Sequence, residues 1–434
     1  VQITAGNVWM MVSAALVLLM TPGLAVFYGG MTRAKAALNM IMMSFISAGI
    51  VGAVWVLWGY SMSVGKGGGF VGNPFASFGL QNLIGSTDLI KAGFSATFAM
   101  VTVALISGAI ADRAKFSAWA VFVPIWITLV YCPLAFMVWG GGMLSPGGAV
   151  SRVFGPVIDF AGGTVVEISA GIAGLVLALI LGKRHGFGQD PNHRPHNMPL
   201  VMLGAGILWF GWFGFNGGAA TSADQAGLIW INTMAAPAAG MLGWLITEKV
   251  RDGRPTSLGA ASGVVAGLVA ITPSCANISP AWALGLGAVA GVVSSLAVGL
   301  KYKYGFDDSL DVVAVHLFAG LIGTLALGFI ALPVDGKGGG LFYGGGLQQL
   351  VAQIVAVLIA LVLSGLVTGV VGLVIHKTMG FRVSREDEVA GVDVSEHAET
   401  AYEFGGLGQN QFSSFPHHLQ PSIVIQPHRV RDEA

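Results

Sequence analysis

Long apolar stretches alternate with short polar or glycine-rich loops along most of this chain. Each stretch approaches or exceeds the roughly 20 residues that a helix needs to cross a bilayer. The pattern predicts eleven transmembrane helices, at 7–30, 38–63, 91–111, 116–138, 162–182, 198–216, 225–247, 258–275, 280–300, 310–332 and 347–377. At about 1.5 Å per residue the last run outreaches a hydrocarbon core of about 30 Å, so strong tilt or extension into the cytoplasm is expected. Past Phe381 the pattern stops. The stretch SREDEVAGVDVSEHAETAYE is polar and acidic, and GGLGQNQFSSFPHHLQP is loose in composition. We read residues 1–380 as the membrane domain and 381–434 as a cytoplasmic regulatory tail, disordered towards its end.

Composition narrows the class. Hydrophobic residues fill 54% of 434 positions and charged residues 10%, with a mean hydropathy of +0.76. These values exclude an ordinary soluble domain and leave an all-α polytopic membrane protein. The 65 glycines suit close helix crossings in lipid. Net charge is zero, so nothing points to nucleic acid, and two cysteines make no disulfide framework or metal site. Basic residues set the orientation. Seventeen of the 21 Lys and Arg fall in the tail or in loops on one side, against Lys66, Lys91, Arg152 and Lys337 on the other. The positive-inside bias makes the first side and the C-terminus cytoplasmic, with the N-terminus outside. The chain starts at Val1 without Met, and a removed signal peptide or a removed initiator would each give that.

Two stretches repeat a rare arrangement. DFAGGTVVEISAGIAG (159–174) and DSLDVVAVHLFAGLIG (308–323) each open on Asp and carry a titratable residue eight places on, Glu167 or His316. Ala170-Gly171 and Gly174 match Ala319-Gly320 and Gly323 in offset. An ionisable group inside an apolar span is a functional candidate by default. Two copies at matched positions suggest a duplicated bundle with a path at the repeat interface. The bland alternative is a satisfied structural Glu–His hydrogen bond.

Motifs across the chain carry a resemblance. PGLAVFYGG (22–30), FSATFAMVTVALISGAIADR (94–113), MVWGGGML (137–144), DFAGGTVVE (159–167), GWFGFNGG (211–218), DVVAVH (311–316) and GVDVSEHAETAY (391–402) together resemble the ammonium transporter family (Amt/Mep/Rh), in its bacterial Amt branch. The resemblance implies eleven helices in a 5+5 inverted repeat plus a long tilted last helix, a homotrimer with one pore per protomer, and a multi-pass cell (inner or plasma) membrane location. It implies ammonium or ammonia as substrate and a PII-type signalling protein as a partner at the cytoplasmic face.

The same resemblance assigns roles to residues. Trp139 and Phe94 match the outer recruitment site, where aromatic faces attract a cation; an interfacial belt is the plainer role for Trp139. Phe98 and Phe215 match the stacked gate, although core packing is the usual role of a buried Phe. Asp159 matches the acid that organises the vestibule, a role compatible with simple helix capping. Glu167 and His316 stand where the family has paired pore histidines, so the first His is Glu here. A carboxylate beside an imidazole titrates as a pair. Burial pushes such a Glu towards the acid and His⁺ towards the anion. Ala219 is a second departure, at the recruitment site with Trp139 and Phe94, where the family often has a hydrogen-bonding Ser; nearby Thr221 or Ser222 are the residues that could compensate.

The resulting expectation is recruitment of NH4⁺ outside, loss of a proton near the Phe pair, and passage of NH3 through an apolar pore. The proton crosses separately, with Asp159 and the Glu167/His316 pair as its candidates. An ammonium sensor or transceptor with little flux and an Rh-like electroneutral gas channel are the alternatives. An enzyme using Glu167 and His316 as acid and base is disfavoured. No nucleophile motif, phosphate loop or metal-ligand spacing accompanies the pair, and no cofactor is expected. His417-His418 could hold a metal weakly, but reads better as solvated tail.

Overall fold

A computed structural model describes residues 3–189, 194–333 and 338–402. The described residues are all-helical, without strands. Apolar helices follow the eleven predicted runs in order: α1 (Ala5–Met31), α2 (Ala34–Val64), α3 (Asp88–Ile110), α4 (Phe116–Trp139), α5 (Gly163–Leu181), α6 (Met198–Gly217), α7 (Ala223–Asp252), α8 (Ser257–Ile271), α9 (Pro280–Tyr304), α10 (Val313–Ile330) and α11 (Gln348–Thr378). Ten of these are long and apolar enough to span a membrane. The exception is α8, with 15 residues. Its predicted run reached 275, but Pro273 supplies no amide and the chain turns over 272–277. The last helix has 31 residues, about 46 Å of length.

Sequence chemistry sets the ends. Thr4, Ser222, Thr256 and Ser279 cap α1, α7, α8 and α9 by accepting an amide hydrogen bond from the first turn. Lys249 and Arg251 sit in the last turn of α7, where the helix dipole favours cations. That helix therefore continues beyond the predicted 225–247. Prolines at 22, 124 and 237 lie inside α1, α4 and α7. Widened π-helical turns interrupt α2 at Trp55–Gly59 and α4 at Ile127–Tyr131, and open α5 and α10 at Gly163–Ile168 and Val313–Phe318.

Small residues bring the helices together. Phe27 of α1 lies so close to Gly204 of α6 that a Cβ there would fall 2.5 Å from its amide nitrogen. The outside of the bundle stays apolar. On α11, Leu358, Val362, Leu366 and Val370 form an exposed stripe at four-residue spacing. Such a face suits lipid or another protomer and would be anomalous in water.

Residues 381–402 pack back onto the bundle. Phe381 is fully buried. Asp393 accepts the amides of Leu38 and Asn39 at 3.0 and 2.7 Å at the start of α2. Glu396 accepts the Phe116 amide at 2.8 Å at the start of α4. Arg382 donates to the Leu181 carbonyl at the end of α5. These are charges complementing helix ends, and they tie the first part of the tail to three membrane helices. His417-His418 and the predicted disordered end lie outside the described residues.

Candidate functional site along the helix axes

The two repeat stretches meet in the middle of the molecule. Asp159 lies in the loop before α5. Its carboxylate accepts the amides of Gly162, Gly163 and Thr164 at 2.8, 2.6 and 2.8 Å, and the Thr164 hydroxyl as well. Gly162 has φ +119, a conformation that L side chains rarely adopt; it lets the three amides converge. Asp308 does the same for α10, accepting Val312 N at 3.1 Å and Val313 N at 2.7 Å. Each acid thus starts a helix whose first turn is π-helical and carries the titratable residue. Extra-wide turns of this kind are rare and gather at functional sites.

Matched glycines then let the helices cross. A Cβ on Gly171 would sit 2.5 Å from Leu317 N, and one on Gly320 would sit 3.0 Å from Glu167 Cβ. At that separation His316 Nδ1 and Glu167 Oε2 are 2.7 Å apart. Both side chains are buried, and Glu167 is fully so. The second oxygen, Glu167 Oε1, has no hydrogen-bond partner among the described residues. An unbonded buried carboxylate oxygen is costly and is a ready hydrogen-bond acceptor.

That pair lines a narrow cavity of about 10 Å³, room for roughly one water-sized molecule. Met20, Leu24, Phe27, Val101, Leu105, Val166, Leu208, Trp212, Phe215 and Val265 complete its wall. Trp212 spends its N–H on Thr272 Oγ1 at 2.8 Å. Glu167 and His316 therefore supply the polar chemistry of an otherwise apolar space.

One end of the cavity is closed by aromatic rings. Phe215 stacks on Phe98 with centroids 4.0 Å apart and planes 16° from parallel. Phe94 meets Phe98 edge-on at 4.9 Å, and Trp139 does so at 6.3 Å. Trp139 is 40% exposed, whereas Phe94, Phe98 and Phe215 are buried. The Trp139 indole donates to the Asp159 carbonyl at 2.8 Å, so the acid's loop also positions the outermost ring. Ala219 is exposed, next to Gly218, where any side chain would run into the Phe94 ring. Thr221 and Ser222 are exposed too and are engaged locally. Thr221 donates to Gln225 Oε1, and Ser222 accepts the Gln225 amide.

The other end leads to a second cavity of about 250 Å³. Three segments pass from one wall to the next: α1 through Phe27 to Met31, α8 through Val265 to Ser262, and α10 with the residues before it through His316 to Asp311. The wider cavity is lined by Arg184, Arg194, Arg251 and Lys301 with Glu248 and Asp311, so it opens on the side of the basic loops. Trp139, the Phe pair and the Glu–His pair follow one another through the bundle, with the charged cavity beyond them. Residue types alone did not single out Phe27, Trp212, Lys301 or Asp311. The only hint for Lys301 was its place at the edge of an apolar run.

The chain matches the family model described as Ammonium Transporter Family over residues 8–402. The chain belongs to the ammonium transporter family. An ammonium transporter of Mycobacterium tuberculosis is 51% identical over 429 residues, covering 91% of this chain and 90% of that protein. One from Aquifex aeolicus is 45% identical, covering 92% and 93%. Among solved structures, Saccharomyces cerevisiae Mep2 aligns with a TM-score of 0.79 at 32% identity, covering 88% of this chain and 90% of that one. A structure described as a sensor Amt protein aligns at 0.83 and 28% identity, covering 90% and 98%. The all-helical architecture expected of this family is the architecture observed.

Proposed function

We propose that this chain carries ammonium across the cell membrane by shedding a proton before the solute enters the cavity between Phe215 and His316. The carrying observation is the cavity itself: one molecule wide, apolar on most of its wall, and sealed by the Phe98–Phe215 stack. A full charge confined there loses its water and costs several kcal/mol or more. NH4⁺ and K⁺ are similar in size and charge, but only ammonium can become small and neutral by giving up a proton. Dryness therefore selects for ammonium. NH4⁺ gathers at Trp139 and Phe94, whose ring faces attract it by up to about 2 kcal/mol once water is removed. NH3 then passes the Phe pair and meets Glu167 Oε1 and His316, which replace lost water as hydrogen-bond partners.

The proton takes a separate route in this reading, with the Glu167/His316 pair as its relay. Asp159 is the weaker carrier, because both its oxygens already accept hydrogen bonds; its part is to hold the vestibule loop. The basic face is cytoplasmic and the N-terminus outside, α8 completes eleven crossings, and the halves form an inverted repeat. Three protomers assemble, and a PII-type protein docks at the cytoplasmic face. No enzymatic step is assigned.

Current recording on a solid-supported membrane tests the reading. Ammonium pulses should give a current and K⁺ pulses none. Ammonium uptake without current would favour the electroneutral gas channel instead. A sensor remains the second reading because the sensor Amt structure aligns over most of both chains. Ammonium-dependent partner binding without flux would support it.

A further inference from the structure

Lys301 is an unusual resident of the wide cavity. It ends α9 with its side chain almost fully buried. Its Nζ lies 2.6 Å from Asp311 Oδ1 and 3.2 Å from the Asp308 carbonyl, and 5.4 Å from the centre of the Tyr302 ring. A carboxylate, a carbonyl and an aromatic face are the ligands that recognise a small ammonium ion. Asp311 holds a left-handed backbone, φ +62, uncommon for a residue with a side chain. Its carbonyl accepts the Val315 amide at 2.9 Å inside the π-helical turn of His316. The ammonium-binding ligands thus stand at the mouth through which the solute leaves, one turn from the pore imidazole.

We propose that Lys301 is a tethered ammonium, occupying a monovalent-cation site at the cytoplasmic mouth so that free NH4⁺ or K⁺ cannot rest there. The inference rests on the transport reading for its purpose but not for its chemistry. Without the lysine, Asp311 and the Asp308 carbonyl would face a cavity of about 250 Å³ and capture the departing ion. With it, the product meets a filled site and is released.

The experiment removes the tether and returns the ion. Lys301→Ala is melted in detergent with ammonium, methylammonium, sodium or choline chloride at equal ionic strength. Ammonium and methylammonium should raise its melting temperature by several degrees over sodium and choline, saturating in the millimolar range. Wild type and the double variant Lys301→Ala/Asp311→Asn keep the outer aromatic site and should show only the smaller shift that this site gives. Lys301→Gln, which keeps most of the stem, repeats the test should the alanine variant fold poorly. In liposomes, internal ammonium should inhibit the Lys301→Ala current at a concentration at least tenfold lower than in wild type. A melt that responds to ammonium identically in wild type and both single variants overturns the proposal. The transport reading fails separately, if wild type itself carries no ammonium.

Discussion

The stretch around Glu167 and the stretch around His316 share one scaffold and face two different mouths. Each has an acid eight residues upstream that gathers helix amides, a π-helical first turn, and a glycine that admits the opposite helix. Their surroundings diverge. Asp159 accepts four donors and sits behind Trp139, at the aromatic end. Asp308 accepts two amides and sits beside Lys301 and Asp311, at the charged end. The scaffold fixes where the two titratable side chains meet; the surroundings make one end aromatic and the other charged. A carboxylate on one copy and an imidazole on the other then make a pair that two identical residues could not.

Unequal capping is the first place to break this comparison. A buried amide left without its acceptor costs about 1–3 kcal/mol, and such costs are not additive. Asp159→Ala should therefore destabilise the protein by roughly 3–5 kcal/mol, and Asp308→Ala by about half as much. Thermal melts of the two variants in one detergent check it, and equal losses would contradict the asymmetry.

Next is pH. Burial, reinforced by neighbouring Asp311 and opposed by Lys301, pushes the Asp308 carboxyl up to about 6 from 3.8. A folded value above the unfolded one means that its stabilisation is complete below about pH 4 and is lost as pH rises through about 6. Wild type should lose up to roughly 3 kcal/mol from this group between pH 4 and pH 7. Asp308→Asn should flatten that part of the melting profile. An unchanged profile in the variant would remove Asp308 as its source.

The glycine crossing sharpens the comparison further. A methyl on Gly171 would strike Leu317 backbone at 2.5 Å, whereas one on Gly320 would meet Glu167 Cβ at 3.0 Å. Overpacking costs typically 1–3 kcal/mol. Gly171→Ala should fall at about the top of that range and Gly320→Ala near the bottom, measured by melting. The smallest effect is expected from Glu167→His. It should preserve ammonium current and shift its pH dependence, because the coupled pair then titrates through two imidazoles. Complete loss of current would mean that the carboxylate is indispensable here.

Much of this is legible in the amino-acid sequence. Ten of the eleven apolar runs became helices long and apolar enough to span a bilayer among the described residues, and the remaining run became the shorter α8. The repeat offsets linked Glu167 to His316 and Gly171 to Gly320, because the two stretches keep the same spacing. Ends were harder to read. Pro273 stopped α8 within an apolar run, and Lys249 and Arg251 prolonged α7 past one. Contacts of the tail with the bundle were not legible. Asp393 and Glu396 look like ordinary acids of a polar tail, and only folding brings them to the amides of α2 and α4. Lys301 looks like one more basic loop residue until Asp311 is seen 2.6 Å away.

The claim that a proton leaves before the solute enters a dry cavity is tested most directly at His316. His316→Ala is reconstituted beside wild type and challenged with ammonium and K⁺ pulses on a solid-supported membrane. The account predicts that the variant either loses the ammonium current or begins to pass K⁺. Ammonium current with selectivity over K⁺ unchanged from wild type would contradict it.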